Sequence, residues 1–160
     1  MPQPDRDPER TDAVTVCVDL RLELKAPADR VWNAISTTDG LKTWYSDTAM
    51  IEERVGGRLF FADPQATPKE ENLVSKVVCL DPGRLMVLKA LHLPSRTPNR
   101  RAAKGVYSVI YLTPLSESST LLEVRCLCTQ STSKVGPLAD SMRESAEQAL
   151  KRLKKAVEVS

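Results

Sequence analysis

Gly136 to Val157, GPLADSMRESAEQALKRLKKAV, is the stretch that decides the fold. Its apolar residues recur at steps of three and four: Leu138, Met142, Ala146, Ala149, Leu150, Leu153 and Val157. This spacing places them along one side of an α-helix, which must bury that side against another part of the protein. Because nearly all of the chain upstream has the pattern of β-strands, we predict a sheet packed around a C-terminal helix.

The first predicted element is a β-strand with one buried face and one solvent-exposed face. Between Val14 and Lys25 the residues alternate in character, which is the pattern of a half-buried strand. Its length favours an antiparallel sheet over a parallel one. The alternation predicts that four side chains face inward: Val16, Val18, Leu20 and Leu22.

Two short helices are predicted after this strand. Apolar residues have helical spacing over Pro27–Ile35 and again over Leu41–Tyr45. Either Thr38 or Asp39 can cap the second helix, because a side-chain oxygen at that point can accept from the unpaired N–H groups of its first turn.

Six further strands follow the helices. They are predicted over residues 49–55, 58–62, 73–80, 85–91, 106–112 and 121–128. Gly56-Gly57 lies between the first two and is a signal for a two-residue hairpin. Asp81-Pro82-Gly83 is a signal for a tight turn between the next pair. The order of one strand, two short helices, six strands and a long helix is an α+β fold without internal repeats.

Length and composition are those of one ordinary globular domain. The chain has 160 residues, of which 41% are apolar and 28% charged. Residues 1–12, MPQPDRDPERTD, contain no apolar run, so we expect a disordered N-terminal arm ahead of a single domain over 13–160. We find no signal-peptide pattern and no apolar stretch long enough to span a membrane, and we therefore expect a cytoplasmic protein.

Charge and cysteine usage give little support to a nucleic-acid-binding surface or a metal site. The net charge is +2, and the basic residues gather over Arg96–Lys104 and at the end of the last helix. Such patches, without interleaved aromatic residues, do not indicate nucleic-acid binding. Four cysteines, one histidine and no Cys-x-x-Cys spacing favour reduced thiols over a metal site. We find no cofactor fingerprint and expect no cofactor.

Several local motifs, taken together, resemble a known superfamily. They are Ala26-Pro27-Ala28-Asp29-Arg30-Val31-Trp32, Gly40-Leu41 with Trp44-Tyr45, Val55-Gly56-Gly57-Arg58, Leu80-Asp81-Pro82 with Arg84-Leu85, and Leu112-Thr113-Pro114 followed by Thr120. In this order they resemble the helix-grip superfamily, which includes the birch-pollen allergen and START lipid-transfer domains. Within it they most resemble proteins related to the activator of heat-shock protein 90 ATPase. The resemblance covers about residues 14–157.

The resemblance implies a seven-stranded antiparallel sheet curved around the C-terminal helix, with a cavity between them that often accepts apolar molecules. Members of the superfamily include lipid carriers, hormone receptors, aromatases, cyclases and chaperone partners, so the fold does not identify the ligand. This chain departs from the common pattern at Lys89, where an aromatic residue is typical.

We predict the cavity lining from strand parity and from the helix stripe. On the last strand, Leu122, Val124, Cys126 and Cys128 face inward. On the strand over 106–112 the inward face is left open. Either Val106, Ile110 and Leu112 or Tyr107, Val109 and Tyr111 face inward, and the other three would then form an apolar outer surface. The candidates for ligand binding are Trp44, Tyr45, Ile51, Glu53, Ser108, Ile110, Val124, Cys126, Met142 and Leu150. The alternative is that these residues are ordinary core.

Glu53 is the polar candidate on which this interpretation depends most. It shares strand parity with Ile51 and Val55, so it can point into the cavity as a hydrogen-bond acceptor or general base. The alternative is an exposed carboxylate paired with Arg58 across the hairpin.

Three functions are therefore considered. The first is binding of a small apolar or amphipathic molecule between sheet and helix. The second is a protein-interaction module resembling the chaperone ATPase activator, with a protein partner or a second copy on the outer sheet face and the basic loop. The third is a cofactor-free cyclase or aromatase in which Glu53 or Tyr45 supplies the polar group. Motifs of known enzymes are missing, which favours binding over catalysis.

Overall fold

The structure, a computed structural model, describes residues 14–62, 72–93, 105–128 and 132–158. The predicted N-terminal arm and the basic stretch Arg96–Lys104 lie outside the described residues, as does the side chain of Leu138. The elements in chain order are β1 (Thr15–Leu24), α1 (Ala28–Ser36), α2 (Thr38–Lys42), β2 (Met50–Ile51), β3 (Arg58–Ala62), β4 (Asn72–Asp81), β5 (Leu85–His92), β6 (Tyr107–Ser116), β7 (Ser119–Cys128) and α3 (Thr132–Val157).

One curved sheet carries all seven strands, in the order β1-β7-β6-β5-β4-β3-β2. Every neighbouring pair is antiparallel. The predicted α+β fold, with two short helices after the first strand and a long helix at the end, is confirmed. No helix among the described residues is both long and apolar enough to cross a membrane.

The last helix covers one side of this sheet, as its apolar stripe predicts. It begins at Thr132, four residues before the predicted start at Gly136. Leu153 is 1% exposed and packs in the same core cluster as Leu122 of the facing strand. Beyond the helix, the Glu158 carboxylate accepts from the backbone N–H of Lys25 at 2.9 Å and from Lys154 at 2.6 Å. These bonds lower the pKa of Glu158 and tie the helix end to the end of β1.

A β-bulge in β1 changes the predicted parity at one end of that strand. The register against β7 shifts between Val16 and Val18, so Cys17 and Val18 are both buried while Val16 is 50% exposed. The prediction that Val16 faces inward is therefore wrong. An extra residue in one strand turns the following side chains over, and no alternation rule anticipates where it is inserted.

Two tryptophans, one in α1 and one just after α2, hold the two short helices in place. Trp32 is buried, and Trp44 donates its indole N–H to the carbonyl of Ala34 at 2.8 Å. The cap of α2 is Thr37, whose hydroxyl accepts from the backbone N–H of Gly40 at 2.9 Å. The prediction of Thr38 or Asp39 as the cap is thus wrong by one or two residues.

The connection between β2 and β3 is longer than a two-residue hairpin. β2 has only Met50 and Ile51, and the chain then turns through a loop in which the N–H of Gly57 donates to the carbonyl of Arg54 at 2.9 Å. Gly56 takes the left-handed conformation, with φ of 85°. The N–H of Gly56 and the carbonyl of Gly57 both bond Val77 at 2.8 Å, which docks this loop on β4.

The hairpin between β6 and β7 is tighter than predicted. The two strands pair as far as Ser116 and Ser119, whereas the sequence predicted strands that end at Leu112 and begin again at Leu121. A second irregularity in the register, between Pro114 and Ser116, accommodates the proline inside the strand.

The structure decides which face of β6 points inward. Val106 and Leu112 are buried on the α3 side, where Ile110 lies between them. Tyr111 is 43% exposed on the opposite face. The outer face of the sheet thus carries aromatic and aliphatic side chains over β5 and β6.

Candidate functional site

A cavity of about 520 Å³ lies between the concave face of the sheet and α3, partly open to solvent. It is lined mostly by apolar side chains, which are Ile35, Leu41, Trp44, Tyr45, Leu59, Leu73, Met86, Leu88, Ala90, Leu93, Val106, Ile110, Leu122, Val124, Cys126, Met142, Ala146, Ala149, Leu150 and Leu153, together with Ser75, Ser108, Ser141 and Ser145. Its volume is within the range of small-molecule sites, about 300–1,000 Å³.

Short side chains on both walls leave this volume unfilled. The sheet contributes Ala90 and Ser108 to the lining, and the helix contributes Ala146 and Ala149. Nearer the C-terminal end of α3, Leu153 packs in a cluster with larger side chains, among them Trp32, Ile35 and Leu122. Close-packed interiors leave few voids beyond the size of a water molecule, so a space of this volume is not ordinary core.

Two aromatic side chains that follow α2 form one end of the cavity. The rings of Trp44 and Tyr45 are 5.1 Å apart at an interplanar angle of 52°. Burial raises the pKa of Tyr45 to about 12, while the positive charge of Arg152 acts in the opposite direction. The phenol therefore stays protonated at neutral pH.

The opposite end is lined by serines and by a thiol. Ser108 and Cys126 face each other across β6 and β7, with 3.8 Å between the hydroxyl oxygen and the sulfur. Burial raises the pKa of Cys126, and the contact with Ser108 offsets part of that effect. Burial also raises the pKa of the nearby Cys17, to about 12, with a smaller contribution from Cys128. These thiols are therefore neutral and weakly reactive.

The described lining contains no charged side chain. Among the described residues, no three His, Cys, Asp or Glu side chains come together in a way that could hold a metal ion. The arrangement can therefore surround an apolar body and offer it neutral hydroxyl groups, which are suited to holding a molecule in one orientation.

Eight of the ten candidate residues come together around this cavity. They are Trp44, Tyr45, Ser108, Ile110, Val124, Cys126, Met142 and Leu150. That they bind a ligand remains a prediction. Ile51 instead packs against the main core cluster without lining the cavity.

Glu53 does not lie in the cavity. Its side chain is exposed and accepts a hydrogen bond from the indole N–H of Trp32 at 3.1 Å. The parity argument fails because β2 ends at Ile51, so Glu53 belongs to the loop. The alternative pairing with Arg58 is also not formed; the ion pair in this loop joins Arg54 and Glu52 at 2.7 Å.

Sequence reasoning left Ser75, Ser141 and Ser145 out of the candidate set. All three line the cavity. The strand parity that Ser75 shares with Val77 predicts that Ser75 faces inward, as it does, but Ser75 is not among the candidates for ligand binding. Ser141 and Ser145 are one helical turn apart and adjoin the apolar stripe at Met142 and Ala146, which is where the boundary of a buried face is expected.

Comparison with known families gives a match over most of the chain. A family model described as Activator of Hsp90 ATPase homolog 1-like protein matches residues 25–158. The matched segment runs from the end of β1 to the residue after α3 and includes every residue that lines the cavity. No curated protein matches the sequence.

Solved structures with the same fold include proteins with different activities. The Aha1 dimer from Colwellia psychrerythraea, solved in solution, superposes with a TM-score of 0.64 at 21% identity, over 89% of this chain and 96% of that one. Norcoclaurine synthase from Thalictrum flavum, in complex with dopamine and hydroxybenzaldehyde, gives a TM-score of 0.66 at 14% identity, over 97% and 93%. At these identities the likeness shows the fold alone.

Proposed function

This chain belongs to the family of Activator of Hsp90 ATPase homolog 1-like proteins, and from that premise we propose that it binds a small apolar or amphipathic molecule in the cavity between the sheet and α3. One observation carries the proposal: the cavity of about 520 Å³ has a largely apolar lining that the protein's own side chains do not fill. Transfer of an apolar molecule into such a space is favoured by about 25 cal/mol for each Å² removed from water.

Filling the cavity from the sheet side tests this function. Ile110→Trp adds an indole where Ile110 lines the cavity, so we expect binding of naphthalene, measured by calorimetry, to weaken at least about tenfold, since lost space removes the contacts of several ligand atoms. The matched control is Tyr111→Trp, on the next residue and the exposed outer face. It is expected to bind naphthalene as the wild type does.

Two results would contradict the proposal. One is wild-type protein that binds no naphthalene. The other is equal loss of binding in both variants, which would place the ligand elsewhere. Native mass spectrometry of gently purified protein complements this test, because a discrete added mass that disappears on denaturation would give the natural ligand directly.

A second candidate function, binding to another protein, is supported by the outer face of the sheet. Val87 pairs with Val109 and Leu85 with Tyr111 across β5 and β6, which sets four apolar or aromatic side chains side by side on the face away from α3. Of these four, Tyr111 is 43% exposed, Leu85 and Val87 are half-buried, and Val109 is buried. An exposed aromatic side chain with apolar neighbours is frequent at protein interfaces. A second copy of the chain, or a chaperone of the class named by the family, would be the partner.

Tyr111→Glu tests this second candidate. If the outer face forms a homodimer, light scattering over a range of concentrations should show a dimer whose dissociation constant rises more than about tenfold in the variant, as expected for an aromatic residue central to an interface. Ser118→Glu, in the β6–β7 turn, controls for added charge. A monomer at all concentrations would exclude self-association, and the same variant pair can then be assayed against an Hsp90 ATPase.

A further inference from the structure

We infer that the cavity selects an uncharged amphiphile, with its hydroxyl or carbonyl group in the half of the cavity that carries the serines and its apolar part against Trp44 and Tyr45. The inference rests on the proposed binding function and adds the chemical class and the orientation of the ligand. It depends on where the polar groups of the lining lie and on how few of their hydrogen bonds are used.

The four serines of the lining are called here the hydroxyl end (Ser75, Ser108, Ser141 and Ser145). Ser75 lies opposite Ala90 and Ser108 opposite Leu88, on the two sides of β5. The two helix serines neighbour Met142 and Ala146, which pack against the cluster of Cys126, Val106 and Leu93. Trp44 and Tyr45 pack against the other cluster, which contains Leu153. Ser75 and Ser108 pair with Leu59 and Leu88 of that cluster, so they lie between the two clusters and the helix serines lie farther from the aromatic rings. The hydroxyls therefore extend from the middle of the cavity away from Trp44 and Tyr45.

The hydroxyl end has unused hydrogen-bonding capacity. Within the described part of the chain, the hydroxyls of Ser75, Ser141 and Ser145 have no hydrogen-bond partner, and Ser108 makes only the 3.8 Å contact with Cys126. Ser75 is only 7% exposed. Ser108 and Ser141 are half-buried, and Ser145 is exposed. Hydroxyls that line the cavity without a protein partner can donate to and accept from a ligand, and each such bond contributes about 0.5–1.5 kcal/mol.

The charge state of that ligand follows from the lining. None of the described lining residues is ionised at neutral pH, because burial holds the thiol of Cys126 and the phenol of Tyr45 in their protonated forms. A carboxylate or ammonium group beside the serines would lose much of its hydration, and the one described cation whose charge acts on the lining, Arg152, acts on Tyr45 at the other end of the cavity. Burying such a charge without a partner is far less favourable than burying a neutral hydroxyl that finds one. The geometry thus favours an alcohol, ketone, ester or amide over an acid or an amine.

Three probes of one shape separate these cases: naphthalene, 2-naphthalenemethanol and 2-naphthoate, each titrated calorimetrically into the intact protein. We expect the alcohol to bind at least as tightly as the hydrocarbon, because the serines replace its bonds to water. We expect the carboxylate to bind at least about tenfold more weakly than the alcohol.

A variant with all four serines of the hydroxyl end changed to alanine should lose the preference. Its affinity for 2-naphthalenemethanol is expected to fall about tenfold, the effect of one or two lost hydrogen bonds, while its affinity for naphthalene stays within about twofold. The naphthalene result also shows that the variant is folded. Ser118→Ala, in the exposed β6–β7 turn, is the control for a serine outside the cavity and should leave all three affinities unchanged.

The outcomes distinguish this inference from the function on which it rests. If all three probes bind and the four-serine variant keeps its affinity for the alcohol, the assignment of the hydroxyl end is wrong and the binding function stands. If 2-naphthoate binds more tightly than the alcohol, the assignment of an uncharged ligand is wrong. If none of the probes binds the wild-type protein, both the binding function and the inference fail.

Discussion

Leu153→Glu is expected to lower the free energy of unfolding by more than about 4 kcal/mol, which for a domain of ordinary stability leaves much of it unfolded. Leu153 is 1% exposed in the core cluster that joins α3 to the sheet. A carboxylate there has no opposite charge in the cluster to pair with and would lose its hydration. Urea denaturation followed by circular dichroism measures the effect.

Lys151→Glu is the matched control for this change. It puts the same side chain on the exposed side of α3, one turn from Glu147, so we expect a loss of only about 0.5 kcal/mol from like-charge repulsion. Equal stability of Leu153→Glu and wild type would show that the helix does not bury its stripe against the sheet, and the fold described above would be wrong.

Gly57→Val is expected to lower the free energy of unfolding by about 3 kcal/mol, through a steric clash and not through an unfavourable φ. A Cβ at Gly57 would collide with the backbone oxygen of Glu52 and approach the Cβ of Glu52 to 2.8 Å. The backbone cannot move away easily, because the carbonyl of Gly57 and the N–H of Gly56 are both bonded to Val77 on β4.

Gly56→Ala separates the two explanations. Gly56 has the left-handed φ of 85°, but a Cβ there would come no closer than 3.8 Å to the side chain of Arg54. The only expected loss of stability in Gly56→Ala therefore comes from holding an alanine in the left-handed conformation, and it amounts to about 1–2 kcal/mol. Thermal or urea unfolding of both variants gives the comparison. If Gly57→Val proves no more damaging than Gly56→Ala, the close approach to Glu52 does not matter for stability.

Much of the fold could be predicted because it depends on repeated local patterns. The stripe from Met142 to Val157 recurs over four turns, and the alternation on β7 is unbroken from Leu122 to Cys126, so an error at one residue changes little. The structure confirms the elements that these patterns predict and moves the helix start only by one turn. The ends of elements depend on single capping or turn contacts, such as that of Thr37, and these are harder to anticipate.

The misplaced residues share a physical cause, which is a change of register within or just beyond a strand. Val16 turns outward at the bulge in β1, and Glu53 leaves the cavity because β2 stops after Ile51. Parity carries no information across such a point, since one extra residue exchanges the two faces. The choice of inward face on β6 was open for a related reason: both faces of that strand are apolar, and only the position of α3 decides between them.

The cavity itself could be anticipated only from the resemblance to a fold. Whether space remains between two packed walls depends on the sum of the side-chain volumes that meet there, and only the tertiary structure brings Ala90 and the small residues of α3 to one cavity. For the same reason the serines of the helix were overlooked. Polar residues at the border of an apolar stripe are common on any amphipathic helix. They indicate a binding site only when a cavity lies beside them.

The most direct test of the central claim is a methyl NMR titration of the protein with naphthalene. Ligand between sheet and helix should shift the methyl signals of Ile110, Val124 and Leu150, which line the cavity, and leave those of Val87 and Val109 on β5 and β6 nearly unchanged, because these two point to the outer face. Shifts at Val87 and Val109 instead, or no shifts at any methyl group at saturating naphthalene, would contradict the claim that this cavity binds a small apolar molecule.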